Sequence, residues 1–527
     1  MKNDYKYGQG LLNASDKLFF TPKSLSPAEY VISLNLDIEK NIYSGIETII
    51  WKNESQLAIS RLRIDKGNIL ENNLIIEGIS KENQLIYHEN FIFIDLTEPL
   101  KYSENIEIKI KFSGEIPKSF HHDDDICKFY GYNPWHPKLW WDERICNNYK
   151  VVFESVTDGY KIFAVGEKNG NVYTEKNINN YYGFAVSKKM TAVSSEVRGI
   201  NVTVVHYPEY KECAEFILEK SANAIDFFID LVGLYPYKSY IVLPGSNKYM
   251  GGGNFSSGIV FVHNFEKYDP NDRRGYMDYY EGLIPHEIGH QYFWEYIPEN
   301  EVPGWLGLGL SIALDREYTQ FKTESKYFHK RMIDDYINCV NAGKNTTIII
   351  PDEEIGKAFN GEDNEYGDNY HGDVCHGKSF AIMSMLIDLI GKNCYFDVMR
   401  HIFKEYAGKA LYTPDFIKLC EEFSGINLDW FFSQWLKSNK ALSYSLENIT
   451  ASESNGNYTV TVEVIRREAL SVPVCVTAYF EDGSYQVQFT ERLLNSQILT
   501  FTAKSKHIKI VFDPFEAYAM KKFTAID

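Results

Sequence analysis

His286-Glu287-Ile288-Gly289-His290-Gln291-Tyr292-Phe293-Trp294 is the stretch on which the reading of this chain turns. Two histidines four residues apart share one face of a helix, so both imidazoles reach a single Zn²⁺. The glutamate beside the first histidine polarises a metal-bound water and shuttles its proton. The same pattern also arises by chance in unrelated helices, where the histidines simply pack or cap. Pro285 directly precedes His286, and proline suits the first turn of a helix. Pro285 is therefore tolerable if the helix starts at this point.

Working outward, residues 204–440 read as mainly helical. From Lys211 to Leu231 apolar residues recur at three- and four-residue spacing (Ala214, Ile217, Leu218, Ala222, Ile225, Phe228), which predicts an amphipathic helix. Asn427 to Trp435 reads as a short helix with a large aromatic content. Residues 1–203 are dominated instead by alternation. Tyr30, Ile32, Leu34, Leu36 and Ile38 form one such run; Ile106, Ile108, Ile110 and Phe112 form another. Both predict half-buried strands. Residues 441–527 return to alternation at Tyr458–Val464, Val472–Ala478, Tyr485–Phe489 and Ile508–Phe512, which suggests a small β-sandwich. The loop His121-His122-Asp123-Asp124-Asp125 carries metal-binding residue types, but a solvated charged loop accounts for it.

The chain has 527 residues, enough for several domains, and 44% of them are hydrophobic, which excludes a wholly disordered protein. A net charge of −18 argues against nucleic acid and anionic membranes as partners. The eight cysteines are scattered singly, with no CxxC pair, and read as reduced buried thiols. The N-terminal residues lack an apolar signal core. Apolar runs reach only about ten residues, too short to span a bilayer. A cytoplasmic protein is the expectation.

Pro303-Gly304-Trp305-Leu306 follows the helix motif. Here the sequence resembles the gluzincin aminopeptidase family, which includes aminopeptidase N and the leukotriene epoxide hydrolase/aminopeptidase. That family's core reads HExxH-Q-[WY]-F, a spacer, then W-L-[ND]-E-G. Similar features extend along the chain: Gly45 and Trp51 in an early strand pair, the segment from Tyr149 to Glu167, Gly251-Gly252-Gly253 opening an exopeptidase-type loop, Leu428 to Leu436, and Asp513-Pro514. The resemblance implies an α+β multidomain architecture. It consists of an N-terminal β saddle domain (1–203), a thermolysin-like, mainly helical catalytic domain (204–440) and a C-terminal β-sandwich (441–527). The large C-terminal helical domain of many relatives is not expected within these residues. The resemblance also implies zinc, held by His286 and His290, with Glu287 as general base.

Three family positions depart from the pattern. Anchoring on Trp305, Leu306 and Gly309 puts Leu308 where the third zinc ligand, a glutamate, belongs; counting without a gap puts Gly309 there. Asp315 and Glu317 lie seven or more residues further on, roughly 10 Å along a helix, too far for a simple swap. In the exopeptidase loop, Phe255 or Gly253 takes the place of the glutamate that grips a substrate α-amine, beside Gly252. Val374, in Val374-Cys375-His376-Gly377, replaces the tyrosine that stabilises the oxyanion. Tyr370, four residues earlier, is a candidate substitute, and His371, Asp373, Cys375 and His376 crowd the same segment.

Three readings stay open. One is a divergent zinc hydrolase, with zinc on His286 and His290 and no identifiable third ligand. The second is a metal-poor enzyme performing acid/base chemistry on an apolar molecule, with burial raising the pKa of Glu287 and lowering those of both histidines. The third is a non-catalytic binding protein using the old cleft. A peptide or a small apolar molecule is the expected partner, contacted by Gly252, Gly253, Phe255, Leu308 and Val374.

Overall fold

The computed structural model describes residues 25–69, 73–123, 126–131, 133–141, 144–245, 254–299, 304–322, 327–350 and 370–512. The chain is multidomain, with a β-rich N-terminal region, a helical middle and C-terminal strands. It gathers into two compact units. One takes in Met1–Pro270, His290–Asn300 and Ile402–Leu411; the other takes in Asn271–Gly289, Glu301–His401 and Tyr412–Asp527.

In the first unit, alternation becomes strand as expected. Strands β1 (Glu29–Asp37), β2 (Ile42–Lys52), β3 (Asn105–Glu115) and β4 (Asn147–Val156) belong to a seven-stranded sheet. β1 pairs antiparallel with β2 and parallel with β4. Ile106, Ile108, Ile110 and Phe112 of β3 are buried while Glu107, Lys109 and Lys111 are exposed, the two faces of one pleat. Trp51 closes β2, its indole N–H donating to the Ser26 carbonyl at 3.1 Å.

A second, five-stranded sheet holds β5 (Thr191–Val197), β6 (Ile200–His206), β7 (Ser239–Pro244), β8 (Asn254–Ser256) and β9 (Ile259–Val262) in the order β5-β6-β7-β9-β8. β6 runs through the position between 203 and 204 and pairs parallel with β7. Helix α1 (Lys211–Val232) packs on β5 and β6. Its buried stripe includes Ala214, Ile217, Ile225 and Phe228 as anticipated; Leu218 and Ala222 are half-buried, and Ala224 is buried. Gly233 ends it at φ +92°, donating its N–H to the Ile229 carbonyl, as a left-handed cap requires.

In the second unit, a π-helical turn (Arg273–Met277) leads into α2 (Asp278–Tyr292), which extends past the unit's edge. The unit continues with α3 (Trp305–Lys322), α4 (Tyr327–Asn341), a π-helix at Tyr370–Lys378 and α5 (Ser379–Ile390). Then follow α6 (Lys392–Glu405), α7 (Thr413–Ser424) and α8 (Asp429–Leu436). The aromatic content of α8 is core: Phe431, Phe432 and Trp435 are buried, and Phe432 packs against Trp305 and Phe416. Among the described residues no single helix is long and apolar enough to cross a membrane. One bent pair, Gly372–Ile390 with Lys392–Glu405, meets length and composition, and α5 within it is largely buried.

The C-terminal strands form two three-stranded antiparallel sheets. One orders β10 (Tyr444–Ser454), β11 (Asn457–Arg466) and β14 (Ser496–Ala503); the other orders β13 (Tyr485–Phe489), β12 (Cys475–Phe480) and β15 (His507–Phe512). Asp513-Pro514 lies outside the described residues.

Candidate active site

Helix α2 begins at Asp278, so Pro285 lies inside it and not in its first turn. Proline there removes the donor that the Glu281 carbonyl would accept. Packing of the preceding turns overrides that loss: Tyr280, Leu283 and Ile284 are buried, and Tyr276 stacks on Tyr280 with ring centres 4.0 Å apart.

His286, Glu287 and His290 are all buried on α2. Gly289 lies between them, and a Cβ added there would sit 2.8 Å from the Ser311 carbonyl of α3. The absent side chain lets α3 approach closely. One turn further along α3, Asp315 is fully buried, and its Oδ2 lies 2.8 Å from His286 Nδ1. A carboxylate on one imidazole nitrogen fixes the ring and leaves Nε2 for a metal or a substrate proton.

Leu308 lies two turns before Asp315, on the same face of α3, and is 3% exposed. Its neighbour Gly309 meets α5, where an added Cβ would be 3.0 Å from Met383 Cγ. Neither position offers a metal donor. Glu317 is paired with Lys392 on α6.

Val374 is buried within the π-helix. Tyr370, the candidate replacement for the missing tyrosine, is buried with its hydroxyl donating to the Ile348 carbonyl at 2.6 Å. That hydrogen bond ties the tyrosine to the segment that ends at Ile350. Burial pushes the Cys375 thiol up to about 12. The His376 ring centre lies 6.2 Å from that of His286. The side chain of His371 lies outside the described residues.

In the first unit, Phe255 sits in β8, its backbone paired with Val260. Its side chain, and Gly252 and Gly253 entirely, lie outside the described residues, as do the side chains of His121, His122 and Asp123. Below α2's end, Gln291 Oε1 accepts the Gly258 N–H at 2.7 Å, and Ser257 donates to Glu295 at 2.5 Å.

These residues test the fit of a metal. His286 and His290 suit one, and Asp315 supports the first. A catalytic zinc takes three protein ligands and water. Neither Leu308 nor Gly309, the two positions at which the resemblance would set the third ligand, carries a donor, and among the described residues no three His, Cys, Asp or Glu side chains group to hold a metal ion. The residues fit two ligands of a zinc centre and fall short of the third. The role of Asp315 was missed in the sequence, although its two-turn spacing from Leu308 was a signal that both share a face.

A helix carrying His286, Glu287 and His290, backed by a second helix that buttresses the first histidine, defines a metallopeptidase-like hydrolase domain. Residues 216–435 match the peptidase family M1 domain, the gluzincin family of aminopeptidase N and the leukotriene epoxide hydrolase/aminopeptidase. No curated protein matches the chain.

Proposed function

We propose that this is a divergent metallopeptidase-like hydrolase with Glu287 as general base and His286 and His290 as remaining metal ligands, and that it is not a routine aminopeptidase. The observation that carries the reading is the His286–Asp315 hydrogen bond. Burying His286, Glu287, His290 and Asp315 together costs several kcal/mol in desolvation, which an apolar layer would avoid. Keeping all four, with one imidazole held in a set orientation, favours chemistry over a passive scaffold.

With a two-histidine site, no step is routed through a metal. Glu287 takes a proton from water or substrate on the α2 face. Asp315 holds Nδ1 of His286 and leaves Nε2 to donate or accept a proton beside it. Leu308 and Val374 make their surroundings apolar, which favours a peptide without a gripped α-amine or a small apolar molecule as substrate. A second reading, acid/base chemistry with no metal at all, is favoured by the apolar residue at the third donor position.

The test is the metal content of the purified chain together with hydrolysis of a panel of peptides and apolar esters by wild type and Glu287→Gln. Bound zinc and loss of activity in Glu287→Gln support the first reading. Metal-free protein with the same loss supports the second. Activity indifferent to Glu287 overturns both.

A further inference from the structure

We infer that β13 is a self-pairing edge through which two copies of this chain associate about a two-fold axis at Val487. β13 is the edge of its sheet, in the order β13-β12-β15, and reads Tyr485-Gln486-Val487-Gln488-Phe489. It holds no charge, proline or bulge, the devices that ordinarily protect an edge from pairing.

The register shows which backbone groups are open. Phe480 N–H donates to Ser484 O, and Thr490 N–H donates to Val474 O, so even-numbered residues of β13 bond to β12. In an antiparallel ladder the alternate residues point the other way. The N–H and C=O groups of Tyr485, Val487 and Phe489 therefore face outward and find no partner among the described residues. Their side chains are 64%, 43% and 47% exposed.

The neighbouring edge is treated differently. In β14, the Thr500 and Thr502 carbonyls accept Gln488 and Gln486 side-chain amides at 2.7 and 2.6 Å, which closes that edge. The same glutamines occupy one face of β13 and leave only its outer backbone open.

The strand fits a copy of itself. Antiparallel pairing centred on Val487 sets Tyr485 opposite Phe489, Gln486 opposite Gln488, and Val487 opposite its own counterpart. All three outward-facing residues then fall at hydrogen-bonded positions, which is the self-complementarity a two-fold interface demands. The two sheets become one of six strands. The strand carries no charge, whereas the chain as a whole is at −18, so salt should strengthen the association by screening.

Sedimentation velocity on the full chain, across micromolar concentrations, tests this. A monomer–dimer equilibrium that strengthens with salt is expected, and Val487→Lys should weaken it by about 100-fold, because like charges then meet on the axis. Val487→Lys should unfold at the wild-type temperature, since Val487 is exposed. Val487→Cys provides a second measurement: facing residues about 5.5 Å apart should form an interchain disulfide under mild oxidation, where wild type does not. A strictly monomeric chain, a dimer indifferent to Val487→Lys, open-ended oligomers, or failure of Val487→Cys to crosslink would each overturn the proposal.

Discussion

His286 Nδ1 lies 2.8 Å from Oδ2 of Asp315, a residue with no exposed surface on the helix that crosses α2 at Gly289. The bond joins a motif residue to one that the family pattern does not mark as a ligand. Asp315→Ala should weaken zinc binding roughly 10–100-fold, the usual effect of losing the partner of a ligating histidine. It should also cost about 2 kcal/mol of stability, because a buried imidazole N–H loses its acceptor. Asp315→Asn keeps an acceptor oxygen and should retain most of both. Competition with a zinc-binding dye and urea denaturation measure the two effects.

The resemblance sets the third ligand at Leu308 or, counted without a gap, at Gly309, and the two registers predict different variants. In the first register, Leu308→Glu should raise zinc affinity by at least about 100-fold, since a catalytic zinc centre takes three protein ligands. Without zinc the same variant should be several kcal/mol less stable than wild type, because the new carboxylate is buried. Leu308→Gln should gain no affinity. Thermal unfolding with and without zinc reads the contrast; a Glu variant indifferent to zinc would place Leu308 away from the metal.

Gly289 is the contact that lets α3 reach α2. Gly289→Ala puts a methyl 2.8 Å from the Ser311 carbonyl, and backbone has to move to receive it. A loss of about 2 kcal/mol is expected, along with weaker zinc binding as Asp315 is drawn from His286. Chemical denaturation and dye competition on the same protein check the pairing of effects.

Lys378 sets a pH dependence. Its ammonium is buried at the end of the π-helix, donating to the Thr346 and Ser438 carbonyls at 2.8 and 2.9 Å, and burial lowers its pKa from 10.5 to about 7. Between those values the unfolded chain holds a proton that the folded chain has released, so raising the pH favours the fold. From pH 7 to 9 this contribution should grow by about 2 kcal/mol. Lys378→Met should remove that slope, as urea titrations at several pH values would show.

Much of the architecture was legible because local pattern and burial agree. The alternation of Ile106, Ile108, Ile110 and Phe112 is one face of a strand, and the spacing from Lys211 onward is one stripe of a helix, though tertiary packing left Leu218 and Ala222 half-buried and buried Ala224. Proline's preference for a first turn is a local rule and does not fix where the helix around Pro285 begins. Buried Tyr280, Leu283 and Ile284 extend the helix upstream of it. The partner of the Tyr370 hydroxyl was not legible, because sequence distance says nothing of where a hydroxyl donates.

The sequence by itself determined the His286-Glu287-His290 face, since helical periodicity sets residues one and four apart within about 100° of each other around the axis. It also determined that Leu308 and Val374 bring no donor, because residue type alone decides that. Tertiary structure alone decided that Asp315, distant in sequence, supports His286, and that the Tyr370 hydroxyl donates to Ile348. Those pairings depend on how closely two helices cross and where a loop lies, and such distances are set by packing between segments that no local pattern encodes.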